Sequence, residues 1–224
     1  MYLLVILVTA LAQTPSSPMW NNVWQMNFTE TTTNAAYGVN EVEGTWYYNA
    51  SLNISRMDRT SARYDNFCGG NDWFRFFDTP CTHLVNNGIR YIVYPELQIC
   101  CNCCSDADGC GILMPTWLQG ATYLGQFLYT NGQESYLWDK QGNSNNFYWE
   151  TVDPTPLNRV MLQLDNGGPN DSMVFTTGRI TGFSSNVFNV PTYCQSSIMC
   201  DSTSVCSQIR GSGGKSEHLK HLTL

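Results

Sequence analysis

The residues most able to do chemistry are cysteines and carboxylates. Cys100-Cys101-Asn102-Cys103-Cys104 holds two overlapping C-x-x-C pairs, a spacing that suits a thiolate zinc site. No second C-x-x-C pair stands at a distance, because Cys194, Cys200 and Cys206 are each separated by five residues. Ten cysteines are an even number, and behind a leader that enters an oxidising compartment thiols pair. We therefore expect disulfides among Cys68, Cys81, Cys100, Cys101, Cys103, Cys104, Cys110, Cys194, Cys200 and Cys206, bracing a long irregular loop before Trp117; the connectivity stays open. Asp106-Ala107-Asp108-Gly109 resembles part of a calcium loop but lacks the later ligands an EF-hand needs. A turn is the simpler reading, with Asp106 and Asp108 as candidate ligands for extracellular calcium.

Nucleophilic hydrolysis has little to work with. His83 is the one histidine in the expected body, since His218 and His221 fall in the tail, and no G-x-S-x-G, H-E-x-x-H or P-loop occurs. Glycoside hydrolysis needs two carboxylates about 5–9 Å apart, and Glu96, Glu134, Asp139 and Glu150 are the candidates. Glu150 beside Trp149 looks like a sugar-site fragment, but a polar strand face next to a buried ring explains it as well. The expectation is a protein that is not an enzyme and carries no catalytic residue, with a carboxylate glycosidase as the third alternative.

Composition narrows the partners. The chain has 224 residues, 11 Lys+Arg against 18 Asp+Glu and a net charge of −7, which argues against nucleic acid. Hydrophobic residues make up 42% and aromatics 13%, so most of the chain should fold. Residues 1–11 form an uncharged apolar run too short to cross a bilayer, and Ala10-Leu11-Ala12 fits a signal-peptidase site. We read 1–12 as a signal peptide and find no transmembrane segment. Sequons at Asn27, Asn49, Asn53 and Asn170 agree with a secreted glycoprotein, extracellular or in a lysosomal or vacuolar lumen.

These residues need elements to hold them. From Gly44, Trp46, Tyr48, Ala50, Leu52 and Ile54 alternate with Tyr47, Asn49, Ser51 and Asn53, the period of a half-buried strand. Asn49 and Asn53 fall on its wet face, where a glycan must be. Further strand-like runs cover 61–67, 73–77, 89–94, 123–130, 135–139, 146–152, 159–164 and 173–181, with Asn131-Gly132 a hairpin turn. The fold class is all-β, or β-rich α+β, built on an antiparallel sheet. Boundaries are a lead-in over 13–43, where Trp20 and Trp24 pack a short segment onto the body, one β-rich domain over 44–206, and a disordered Gly/Ser tail over 207–224.

The order of landmarks resembles the ependymin-related family of secreted glycoproteins. They are Gly44-Thr45-Trp46, then Ile54-Ser55-Arg56 leading to Arg63-Tyr64-Asp65, then Pro80-Cys81-Thr82-His83-Leu84 before Tyr91-Ile92-Val93-Tyr94. A cysteine precedes Pro115-Thr116-Trp117-Leu118, and Asn186-Val187-Phe188-Asn189-Val190-Pro191-Thr192-Tyr193-Cys194 closes the series. The CCNCC run and the chain beyond Cys194 depart from the pattern. The resemblance implies a curved sheet forming a half-open barrel, like that of bacterial lipoprotein carriers, around an apolar pocket, with lipid binding and calcium association. The expected function is a secreted protein holding a hydrophobic small molecule or lipid against Trp46, Tyr48, Leu52, Trp117, Phe127, Trp138 and Trp149. The alternative is an adhesion or interaction glycoprotein, homodimerisation included, with a filled core and an exposed apolar patch near 100–120.

Overall fold

The structure is a computed structural model and describes residues 14–34, 38–63, 65–68, 78–141, 145–167, 171–195, 198–201 and 204–211. The signal-peptide run, the strand expected at 73–77, Asn170 and the chain beyond 211 lie outside the described residues.

Eleven strands form one antiparallel sheet that does not close. They are β1 (Val23–Asn34), β2 (Gly38–Asn49), β3 (Ile54–Arg59), β4 (Cys81–Asn86), β5 (Ile89–Tyr94), β6 (Ile99–Ser105), β7 (Thr122–Leu128), β8 (Glu134–Gln141), β9 (Asn145–Thr151), β10 (Met161–Asn166) and β11 (Asp171–Phe175). The spatial order is β6-β5-β4-β3-β2-β1-β11-β10-β9-β8-β7, two meanders joined where β11 pairs with β1. The two edges, β6 and β7, are consecutive in sequence, and residues 106–121 connect them.

The sheet is curled. β2 and β9 stand four strand spacings apart, about 19 Å across a flat sheet. Yet the Trp20 ring meets Tyr48 of β2 at 5.7 Å and Tyr148 of β9 at 6.4 Å. Side chains directly paired across strands share a face. The pairs Trp24–Tyr48, Met26–Trp46, Trp46–Met57, Tyr148–Trp138 and Leu164–Met173 place one continuous apolar layer on the concave side. Gly44 permits its tightest point: a Cβ there would stand 2.2 Å from Phe28 Cζ and 2.4 Å from the Asp58 carbonyl oxygen.

Five sequence expectations change. The strand read through Ile54 stops at Asn49, whose side chain accepts from the Leu52 amide; Ala50–Leu52 form a 3₁₀ turn and Asn53 turns left-handed at φ 53°. The CCNCC run is no loop but the edge strand β6, and its sulfurs are paired, which leaves no thiolate for zinc. The bridges are Cys68–Cys81, Cys100–Cys194, Cys101–Cys200, Cys103–Cys206 and Cys104–Cys110. The lead-in carries β1, near the middle of the sheet. The helix α1 (Val205–Gly211) buries Cys206 and Ile209, so the folded chain continues past the expected boundary at 206. No strand runs through 61–63 or 65–68.

The β6 edge is covered. The Asn102 amide donates to Ile198 O at 2.8 Å, the Cys200 amide donates to Asn102 O at 2.9 Å, and Arg210 of α1 donates to Cys103 O. Among the described residues β7 has no such cover, and Leu124, Phe127 and Leu128 on it are exposed. No described helix is long and apolar enough to cross a membrane.

Candidate functional site

The concave face is filled by segments that are not strands. Trp20, 6% exposed, enters from the lead-in and stands edge-on to Trp24 (5.5 Å), Trp46 (5.6 Å), Tyr48 (5.7 Å) and Trp117 (5.5 Å). Edge-to-face geometry at these distances is the favoured aromatic packing. The Trp20 indole N–H donates to the Tyr148 hydroxyl at 3.1 Å, and its amide donates to Pro115 O at 3.0 Å. The β6–β7 connection supplies the rest: Ile112, Leu113, Trp117 and buried Leu118 pack on the same cluster, and the Tyr48 hydroxyl donates to Leu113 O at 2.6 Å. Trp20 and residues 112–118 together make a plug. The buried Trp117 Nε1–H has no acceptor among the described residues.

Two clefts flank this plug. One is lined by Trp20, Trp24, Met26, Tyr148, Arg159, Met161 and Arg179 among others, the second by Trp46, Met57, His83, Arg90, Ile112 and Leu113 among others. Each encloses about 20 Å³, room for one water.

Of the expected lining, Trp46, Tyr48, Trp117 and Trp138 meet in this cluster. Leu52 does not: it sits in the 3₁₀ turn, 63% exposed. Trp149 and Phe127 lie on the convex face, 6.0 Å apart, because Trp149 pairs with Leu137 and Phe127 with Ser135. A bulge between Tyr123 and Gly125 shifts the β7 alternation. Trp24, Met26 and Tyr148 belong to the site but were not expected there, although the even spacing of Trp24, Met26 and Phe28 carries the strand signal.

Two groups of buried charges edge the cluster. Glu150 accepts from Arg159 Nη1 at 2.9 Å and Trp138 Nε1 at 3.0 Å. Burial pushes its carboxyl up to about 7, with Arg159 and Trp138 pulling the other way. Asp139, paired with Phe147 and Thr122, points to the opposite face from Glu150; Glu134 starts β8 exposed, and exposed Glu96 lies in the β5–β6 turn. On the other flank, Arg59 donates to Glu30 at 2.6 and 3.1 Å, and Asp65 lies 2.9 Å from His83 Nε2. Burial alone would raise the Asp65 carboxyl, but His83 and Arg59 hold it below the usual carboxylate range. Burial lowers His83 against the pull of Asp65. Burial and the Glu30 charge raise Asp171.

Asp106 and Asp108 are braces in this structure. Asp108 Oδ2 accepts from the Ser105 amide (2.8 Å) and hydroxyl (2.6 Å), closing a capping box, and Asp106 Oδ2 accepts from Asn53 Nδ2 at 2.9 Å. Asn53 is exposed, Asn27 and Asn49 are half-buried, and Trp46 is buried.

A family model described as Domain of unknown function (DUF8395) matches residues 82–194, about half of the chain, from β4 to the last cysteine of the ependymin-like series. It is not the ependymin-related family, so that part of the resemblance is not supported; the open, curled all-β sheet it implied is the fold observed. No curated protein matches. Among solved structures, an uncharacterized conserved protein from Thermus thermophilus is similar at 8% identity and TM-score 0.46, over 76% of this chain and 86% of that one. A putative outer membrane lipoprotein-sorting protein domain from Vibrio parahaemolyticus is similar at 11% identity and TM-score 0.36, over 75% of this chain and 89% of that one.

Proposed function

The chain belongs to the family described as Domain of unknown function (DUF8395), and from the geometry of its concave face we propose that it is a secreted, non-enzymatic protein that takes up a hydrophobic small molecule or lipid by displacing an aromatic plug. The observation that carries this reading is the plug itself. A curled sheet presents Trp24, Trp46, Tyr48, Trp138 and Tyr148 on one face, and among the described residues what covers them is a lead-in and a connection, not a second layer of sheet or helix.

Magnitudes permit exchange of the Trp20 part of the plug, with residues 112–118 left in place. Expelling one Trp side chain re-exposes about 150–250 Å², worth about 4–6 kcal/mol. An acyl chain of about 14 methylenes gains on the order of 11 kcal/mol on burial. The Trp117 N–H without an acceptor already weakens the closed arrangement by about 1–3 kcal/mol. Five disulfides support an oxidising, extracellular or lumenal setting, and Cys104–Cys110 pins the β6 end of the β6–β7 connection while the plug moves. The reading requires no cofactor. Titrating delipidated protein with cis-parinaric acid tests it: saturable uptake at one site per chain, reversed by oleate, is expected, and no uptake refutes it.

The open β7 edge favours a second reading. A strand free of charged residues, with Leu124, Phe127 and Leu128 exposed, is a template for strand addition by a partner or a second copy. The apolar exposure thus centres on 124–128 as well as on Met114 within the region expected near 100–120. Sedimentation of the wild type against Leu128→Lys separates the two: a dimer lost on substitution supports the edge, and a wild-type monomer opposes self-association.

A further inference from the structure

We propose that the cleft between Trp20 and Arg179 is the head-group end of the ligand site, and that the ligand is an amphiphile with an apolar tail and an anionic head. This rests on the carrier reading and names its ligand class.

Arg179 reaches the cleft from the segment after β11, which β1 holds through paired bonds between Gln25 and Ile180 at 2.7 and 3.0 Å. Its guanidinium donates to Arg159 O at 3.3 Å and Leu157 O at 3.0 Å. Both acceptors are neutral, and among the described residues two of the five N–H donors are engaged and no carboxylate lies within ion-pair distance. Arg159 lines the same cleft, paired to the Glu150 carboxyl, which burial biases toward its neutral form. A chain of net charge −7 with 11 Lys+Arg therefore sets two guanidiniums beside Trp24, Tyr148 and Met161. The rest of the cleft is lined by Trp20, Asn21, Trp24, Met26, Tyr148, Val160 and Met161, with no carboxylate in that lining. An anionic oxygen placed there receives a charge-assisted bond, and its tail continues past Trp20 into the space the plug fills. The chemistry suits a carboxylate, sulfate or phosphate head equally; the tail excludes a free inorganic anion as the full ligand.

The test compares oleate, oleyl alcohol and acetate as competitors of cis-parinaryl alcohol on the full chain, in the wild type, Arg179→Gln and Arg179→Lys, with the melting temperature of each. Expected: Arg179→Gln weakens oleate by about tenfold or more and oleyl alcohol by less than about twofold, Arg179→Lys restores part of the oleate affinity, and acetate does not compete. If acid and alcohol bind alike and Arg179→Gln changes neither, the head-group assignment falls while the carrier reading stands. If Arg179→Gln weakens both alike with a lowered melting temperature, Arg179 only braces the 157–159 turn and the assignment falls. If the wild type takes up none of the apolar probes, both fall.

Discussion

Replacing Trp20 by Ala should weaken the fold and strengthen ligand uptake at once. Trp20 is 6% exposed and touches five aromatic rings drawn from β1, β2, β9 and the β6–β7 connection. Truncating a buried Trp costs about 3–5 kcal/mol, which for a chain of this size lowers the melting temperature by on the order of 10 °C. An ordinary core residue would do no more. A plug residue also competes with the ligand, so its removal withdraws the roughly 4–6 kcal/mol that a ligand must otherwise overcome. Part of that gain is lost as the cavity relaxes, leaving an expected increase in cis-parinaric acid affinity of at least about tenfold. Fluorescence titration reads the affinity and urea unfolding the stability. Trp149→Ala serves as the control, because that ring packs on Phe127 and Tyr129 of the convex face; it should leave affinity unchanged. A folded Trp20→Ala protein whose affinity equals that of the wild type would show that Trp20 is core and not plug.

Glu150→Gln isolates one titration. The folded carboxyl sits at about 7 against an ordinary value of 4.5, so the folded state binds this proton more tightly, and the stability it contributes is full below pH 4.5 and lost as pH rises through 7. Urea unfolding should find wild type losing about 3 kcal/mol relative to Glu150→Gln between pH 4.5 and 8, and parallel pH profiles would contradict the burial argument. Gly44→Ala drives a methyl into Phe28 and the Asp58 carbonyl, and a loss of at least about 3 kcal/mol is expected in the same assay. Removing the Cys103–Cys206 bridge by a double Ser substitution, with Cys101–Cys200 intact, opens a ring of about ten residues, and a loss of about 2–3 kcal/mol is expected. It also uncovers the β6 edge, so concentration-dependent association by light scattering should accompany it.

Period-two alternation made β5 and β7 to β10 legible, and each lies within two or three residues of the run read from sequence. Register was not legible. Trp138 and Trp149 look equivalent as large rings on neighbouring strands, but the pairing of Trp138 with Tyr148 sends them to opposite faces. Leu52 was misplaced because Asn49 acts as a cap, and period alone does not say where a strand stops. Asn87-Gly88 is a tight two-residue hairpin turn with both residues left-handed, at φ 51° and 73°. β6 went unread because four cysteines in five positions signalled bridges, and bridges suggested a loop. The bridges instead tie an edge strand to the chain segment that covers it. The cleft around Arg179 had no local sequence signal, since its residues come from 20–26, 148, 159–161 and 179 and converge only through the sheet order.

Quenching of tryptophan fluorescence by 9,10-dibromostearate tests the central claim most directly, since bromine quenches rings it touches. A carrier whose ligand replaces the plug should show saturable quenching at one equivalent, reversed by unbrominated oleate and retained in Trp149→Ala. Fluorescence of the delipidated protein that stays unchanged through several equivalents of the brominated acid would mean that no apolar chain enters the concave face.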